Sequence, residues 1–170
     1  MKDAYLLNQI VRSLLAGQLK AAADPHRPCW HLAAPVGLLN DPNGFIEHDG
    51  RYHLFYQWNP LGCEHSNKGW GHVTSTDLLH WQHEPVALLP TEAYESHGCY
   101  SGSAVSDEQG RLTLVYTGNV KYPDGSRTAF QCLARADGEG GFDKLGPVLD
   151  LPQGYSGHVR DPKVWHDGQQ

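Results

Sequence analysis

The strongest constraint in this chain is a spacing. Asp41-Pro42 and Asp161-Pro162 each lead into an apolar stretch that ends in His-Asp-Gly, at residues 48–50 and 166–168. Tyr100-Ser101-Gly102-Ser103 falls midway, so the pattern restarts at positions 41, 101 and 161. A period of this size belongs to architectures in which one supersecondary unit is copied around an axis. Between restarts the chain reads as short strands bounded by turn signals: 44–48, 51–58, 70–75 and 81–84, then 100–106, 111–117, 128–135 and 142–145. Asp49-Gly50 marks the first hairpin, Thr76-Asp77-Leu78 the next turn, and residues 107–110 the turn of the second unit. Two four-stranded meanders and the start of a third predict an all-β fold, a β-propeller whose first strands line a central channel. Asp41, Ser101 and Asp161 are then expected to face one small ligand. A two-sheet sandwich also supplies many short strands, but it gives no reason for acidic corners at a fixed period.

The corner itself is Asn40-Asp41-Pro42-Asn43-Gly44. Proline removes a backbone donor and fixes φ, and Asn43-Gly44 permits a positive φ, so the bend is tight and holds Asp41 at the mouth of a strand. A single such corner is an ordinary turn far more often than a site; recurrence is what points to a site. Composition narrows the ligand. A net charge of −6 and a pI near 5.9 argue against nucleic acid, which calls for a basic face. The 5 Trp and 8 Tyr in an acidic chain suit an uncharged, hydroxyl-rich ligand, a carbohydrate. Cys29, Cys63, Cys99 and Cys132 are scattered, without Cys-x-x-Cys, and are expected to be reduced, small core residues. His80 and His83 would point to opposite faces of a short strand, so no metal site is expected, and no cofactor.

Residues 5–20 predict one helix, with Leu6, Ile10, Val11, Leu14 and Leu15 on its apolar stripe. Ala21-Ala22-Ala23 imitates a signal-cleavage site, but Asn8-Gln9 and Arg12-Ser13 interrupt the apolar run before it. No stretch approaches a membrane span. The expectation is a cytoplasmic protein with no membrane partner, in which residues 1–29 are a helical lead-in and residues 30–170 a partial propeller. Pro25 and Pro28 separate the two.

Taken together, six motifs resemble glycoside hydrolase family 32, the invertase and fructanase family, and within it the bacterial sucrose-6-phosphate hydrolases. They are Asn40-Asp41-Pro42-Asn43-Gly44, Phe55-Tyr56-Gln57-Trp58-Asn59-Pro60, Trp70-Gly71-His72, the stretch from Ser75 to Trp81, Tyr100-Ser101-Gly102-Ser103 and Arg160-Asp161-Pro162. They stand in family order from Trp30 to Trp165. The resemblance implies a five-bladed propeller, of which this chain holds a helix, two blades and the start of a third. It implies Asp41 as nucleophile and Asp161 as the residue that binds fructose hydroxyls and steadies the transition state. By the same likeness Asn40, Gln57, Tyr100, Ser101 and Arg160 line the fructosyl subsite, and Trp70 is an aromatic of the funnel wall. Leu38-Leu39 and His65 depart from the family pattern, and the Glu-Cys-Pro motif that carries the family's general acid is absent from these 170 residues. The chain is therefore expected to be the N-terminal part of a longer enzyme, inactive alone.

The implied reaction is hydrolysis of the fructosidic bond of sucrose 6-phosphate or sucrose. Retaining cleavage needs two carboxyl groups about 5–5.5 Å apart, one to attack the anomeric carbon and one to protonate the departing oxygen. Gln57 and Arg160 suit sugar hydroxyls and Trp70 suits a sugar face, although each has a structural alternative: a buried backbone partner, an ordinary ion pair, a core position. Two other functions fit the same motifs, a fructosyltransferase and a non-catalytic fructoside-binding protein. For the phosphate of a 6-phosphorylated sugar the basic candidates are His65, Lys68, Arg127 and Lys163.

Overall fold

In the computed structural model, which describes residues 2–28, 30–165 and 167, one helix precedes eight strands in two separate sheets. Helix α1 (Lys2–Ala22) runs two to three residues past the expected span at each end and stops ahead of Pro25. Strands β1 (Leu38–His48), β2 (Arg51–Asn59), β3 (Gly69–Ser75) and β4 (Gln82–His83) form the first sheet, in that spatial order. Strands β5 (Cys99–Ser106), β6 (Leu112–Lys121), β7 (Arg127–Ala136) and β8 (Phe142–Leu149) form the second in the same way. Every pairing is antiparallel, so each sheet is the predicted four-stranded meander. The β1–β2 turn has φ of 50° at Asp49 and 73° at Gly50, the two left-handed residues a tight two-residue hairpin needs.

The blades share one core. Phe55, Trp70 and Leu88 of the first meet Cys99, Leu114, Tyr116 and Cys132 of the second. A second cluster, around Tyr56, Trp58 and Val73, is covered by Leu6, Ile10 and Leu14 of α1. The helix therefore docks along a narrower line than the expected stripe: Val11 and Leu15 are 51% and 71% exposed. Ser13, on the polar side of that stripe, instead faces the body and donates to the carbonyl of Pro60 at 2.6 Å.

First strands lie side by side. Ser101 Oγ bonds Asp41 Oδ2 near the start of β1, and His48 Nδ1 meets Ser106 Oγ at 3.0 Å near its end. Both links advance together along the two strands, so β1 and β5 run in the same direction. Farther along, the Val164 N–H donates to Ser103 Oγ at 3.1 Å, which lays the chain after Asp161 beside β5 in turn. Same-sense first strands packed edge to edge are what successive propeller blades require. Residues 162–165 form no strand, and the expected turn at 166–168 lies largely outside the described residues.

Two other expectations change. Cys99 and Cys132 are buried free thiols, but Cys63 is exposed on the β2–β3 loop, where no core is available; Cys29 lies outside the described residues. His80 is not on a strand at all: its Nδ1 sits 2.6 Å from Asp77 Oδ2 in a turn that Asp77 organises through the N–H groups of Leu79 and His80. Among the described residues no helix is long and apolar enough to cross a membrane.

His72 gives the fold a pH dependence. Its ring stacks on Phe55 at 4.3 Å and on His53 at 5.2 Å, and its Nε2 lies 3.0 Å from His53 Nδ1. Burial pushes its pKa from 6.5 down to about 3, helped by the neighbouring His53 and Arg51. The unfolded imidazole takes up a proton near pH 6.5 and the folded one only near pH 3, so the unfolded state binds more protons between them. Stability is complete above pH 6.5 and declines as pH falls toward 3, by on the order of a few kcal/mol. The urea-unfolding midpoint is expected to drop between pH 7 and pH 5, and His72→Gln is expected to flatten that slope. An unaltered slope in the variant would rule out His72 as its source.

Candidate active site

Two β-bulges build the site. Along β1–β2, Leu39 pairs with Trp58 and Pro42 with Tyr56, so Asn40 and Asp41 together stand opposite the single residue Gln57. Along β5–β6, Tyr100 pairs with Thr117 and Gly102 with Tyr116, which leaves Ser101 as the extra residue. A bulge frees a side chain from the ladder and re-aims it, and here both bulges turn their residues toward the same cleft. Local sequence explains the positions. Pro42 cannot donate to a ladder, and Gly44 has a φ of 58° where an added Cβ would lie 2.7 Å from the Phe55 ring. At Gly102 an added Cβ would lie 1.9 Å from the carbonyl oxygen of Val115, so only glycine lets the second bulge close.

The cleft has a volume of about 360 Å³ and is lined by residues of both blades and of the segment that follows them, Asn40, Asp41, Gln57, Ser101, Arg160 and Asp161 among them. Asp41 accepts a hydrogen bond from Ser101 Oγ at 3.1 Å. The expected help from a neighbouring asparagine goes elsewhere: Asn43 Nδ2 lies 3.4 Å from the backbone carbonyl of Asp41, not from its carboxylate. Gln57 is 1% exposed, and its Nε2 donates to the Cys99 carbonyl at 2.6 Å, tying β2 to β5. Its amide oxygen is what it can offer a ligand.

Asp161 is held by a polar relay across the second blade. Its N–H donates to Thr117 Oγ1 at 3.0 Å, Thr117 Oγ1 donates to Gln131 Oε1 at 3.0 Å, and Gln131 Nε2 donates to the Val159 carbonyl at 3.1 Å. This clasp holds Asp161 at a φ of 61°, a left-handed conformation uncommon for a non-glycine residue. Arg160 Nε reaches its carboxylate at 3.3 Å. Desolvation moves the Asp161 pKa upward against the pull of Arg160, and the charge of Asp41 adds to the rise. The two aspartates thus feel one another in the cleft.

Trp70 is not part of the wall. It is fully buried, tilted against Phe55 at 5.7 Å and edge-on to Tyr116 at 6.3 Å, and its indole N–H donates to the Tyr100 carbonyl at 3.2 Å. All seven residues of β3 are buried, because the sheet has neighbours on both faces, so no ring face is left for a sugar. Its effect on the cleft is through Tyr100, whose own ring lies beneath the Lys68 ammonium, 5.3 Å away. Burial lowers the Lys68 pKa, with Lys121 and Arg160 acting in the same direction and Asp41 and Asp161 opposing. His65, Lys68 and Arg127 reach the cleft; Lys163 does not, and Lys121, which no motif marked, does. A signal for Lys121 was present: it and Arg127 bracket the Pro123-Asp124-Gly125 turn that places them face to face. Among the described residues, no glutamate lines the cleft.

Comparison with known proteins finds relatives over most of the chain. The model of the glycosyl hydrolases family 32 N-terminal domain matches residues 31–170. A sucrose-6-phosphate hydrolase of Klebsiella pneumoniae is 65% identical over 164 residues, covering 96% of this chain and 35% of that protein. One of Bacillus subtilis is 52% identical over 149 residues, covering 87% and 31%. The solved sucrose-6-phosphate hydrolase of Lactobacillus gasseri superposes with a TM-score of 0.86 at 39% identity, over 93% of this chain and 33% of that one. A Bombyx mori family 32 beta-fructofuranosidase mutant, solved in complex with sucrose, gives 0.81 at 35% identity, over 94% and 34%. The chain spans about a third of the length of the relatives it matches.

Proposed function

The chain belongs to glycoside hydrolase family 32, and on that premise we propose that residues 30–170 carry the nucleophile half of a β-fructofuranosidase that acts in the cytoplasm on sucrose 6-phosphate or sucrose. The observation that carries this reading is Asp41, lifted out of the β1–β2 ladder by a bulge and bonded to Ser101 of the next blade, in a cleft shared with Asp161. Asp41 attacks the anomeric carbon of the fructosyl unit, and the bond to the departing sugar breaks as that sugar's oxygen takes up a proton. Water then displaces Asp41 and releases fructose with its configuration retained. Asn40, the Gln57 amide oxygen, Arg160 and Asp161 hold the fructosyl hydroxyls. Tyr100 and Ser101 position the carboxylate and the neighbouring ammonium. The proton donor is assigned outside this cleft, on the remaining length that the relatives have, where a five-bladed propeller would close.

A chimera tests the proposal. Residues 1–170 replace the matching stretch of the Klebsiella pneumoniae relative, and sugar release is measured with sucrose 6-phosphate and with sucrose. Fructose release from at least one of them is expected. A folded chimera that releases fructose from neither overturns the reading, and oligosaccharide products at high sucrose would mark a transferase instead.

A further inference from the structure

We propose that Lys121 and Arg127 form a recognition site for a phosphate monoester carried on the leaving sugar of the substrate, an inference that rests on the fructosidase reading above. The two residues are direct cross-strand partners, the last residue of β6 opposite the first of β7. Like charges directly opposite one another in a sheet are destabilising. Among the described residues no hydrogen-bond or ion-pair partner of either side chain offsets that cost, although both line the cleft. The one carboxylate in their hairpin, Asp124, is turned into the turn and accepts from the N–H and the hydroxyl of Ser126 at 2.9 and 2.6 Å. An unneutralised pair of this kind becomes favourable when a dianion lies between the two heads.

The surroundings fit that ligand. In a chain with a net charge of −6, the cleft gathers Lys68, Lys121, Arg127 and Arg160, with His65, against only Asp41 and Asp161. Asp161 already engages Arg160, which leaves Lys68 as the cation nearest in influence to Lys121. Arg127 is also fixed in place. Gly157 packs so closely on it that an added Cβ would lie 2.5 Å from Arg127 Cγ, so the chain leading to Asp161 presses on the stem of the arginine. A guanidinium with a fixed stem and an exposed ammonium opposite it are the bidentate and point-charge elements of a phosphate site.

Position selects the sugar. Asp41 and Ser101 come from β1 and β5, the first strands of their blades, whereas Lys121 closes the second strand and Arg127 opens the third, farther out in the strand order. A fructosyl unit held at Asp41 sits beside the first strands, so a phosphate at the outer pair belongs to the sugar that departs.

The test uses the chimera described above. The specificity ratio, kcat/KM for sucrose 6-phosphate over that for sucrose, is measured in the parent and in the Lys121→Gln/Arg127→Gln double variant. The parent is expected to favour the phosphorylated sugar, and the double variant to lose about 10- to 100-fold of that ratio. Inorganic phosphate is expected to compete with sucrose in the parent and to do so more weakly in the variant by a similar factor. The urea midpoint is not expected to fall, since the substitution removes a repulsion. Lys121 is exposed, so Lys121→Gln alone serves if the double variant does not fold, and a smaller loss in the same ratio is expected of it. A ratio unaltered by the substitutions, or a parent indifferent to the phosphate, overturns the inference while leaving the fructosidase reading intact. Absence of fructose release from either sugar overturns the underlying reading instead.

Discussion

Asp41→Asn in the chimera is expected to lower kcat for fructoside hydrolysis by at least about 10⁴-fold, because the amide retains the shape of the side chain and none of its nucleophilicity. The geometry makes this a clean substitution. Asp41 is exposed to the cleft, and an asparagine amide oxygen can still accept the Ser101 hydroxyl, so neither the bulge nor the contact between blades should be lost. KM is expected to move by only a few-fold, since the fructosyl hydroxyls are held by other groups, and the urea midpoint should match that of the parent. Steady-state rates on sucrose 6-phosphate and sucrose check this directly. A variant that keeps a tenth or more of the parental kcat would remove Asp41 from the reaction, and with it the proposed function.

The second large effect concerns stability. Glu95 is fully buried at the end of a short 3-10 turn (Ala93–Glu95), where it accepts from Tyr116 Oη at 2.7 Å and from the backbone N–H groups of Thr91 and Glu92 at 3.2 and 3.3 Å, and pairs with the Lys144 ammonium. These bonds join the chain between the blades to β6 and β8. Glu95→Ala strips the partner from a largely buried ammonium and from a buried phenol at once, which is expected to cost about 3–5 kcal/mol. Glu95→Gln keeps an acceptor for Tyr116 and should cost less. Urea unfolding of both variants beside the parent measures the difference; a loss under about 1 kcal/mol for the alanine variant would mean that Lys144 finds other partners, for which Thr91 and the Leu89 carbonyl are at hand.

The repeat was legible because it rests on turn chemistry and strand alternation, both local. Asp49-Gly50 announced its hairpin, the stretches around Tyr52 and Leu114 announced their strands, and the corners at 41, 101 and 161 marked the residues that the fold brings together. What escaped were features fixed by two elements at once. The bulges at Asn40-Asp41 and Ser101 depend on the register of a partner strand, so Pro42 and Gly102 hinted at irregularity without locating it. Trp70 resembled a ligand-facing aromatic, but whether an indole meets a sugar or a core depends on what covers β3 from the other blade. Lys121 carries no motif; only its pairing with Arg127 gives it meaning. Glu95 stands in a loop outside every motif, and it is buried because Tyr116 and Lys144 converge on it from distant strands.

The hydrogen bond between Asp41 and Ser101 has a consequence for the order of events at the ribosome. Asp41, the proposed nucleophile, leaves the ribosome 60 residues ahead of Ser101, so its setting is complete only once the second blade has docked. An aspartate primed before its cleft exists would meet solvent and stray electrophiles alone. Deferring the partner hydroxyl to the next repeat makes the setting of this carboxylate a late product of assembly.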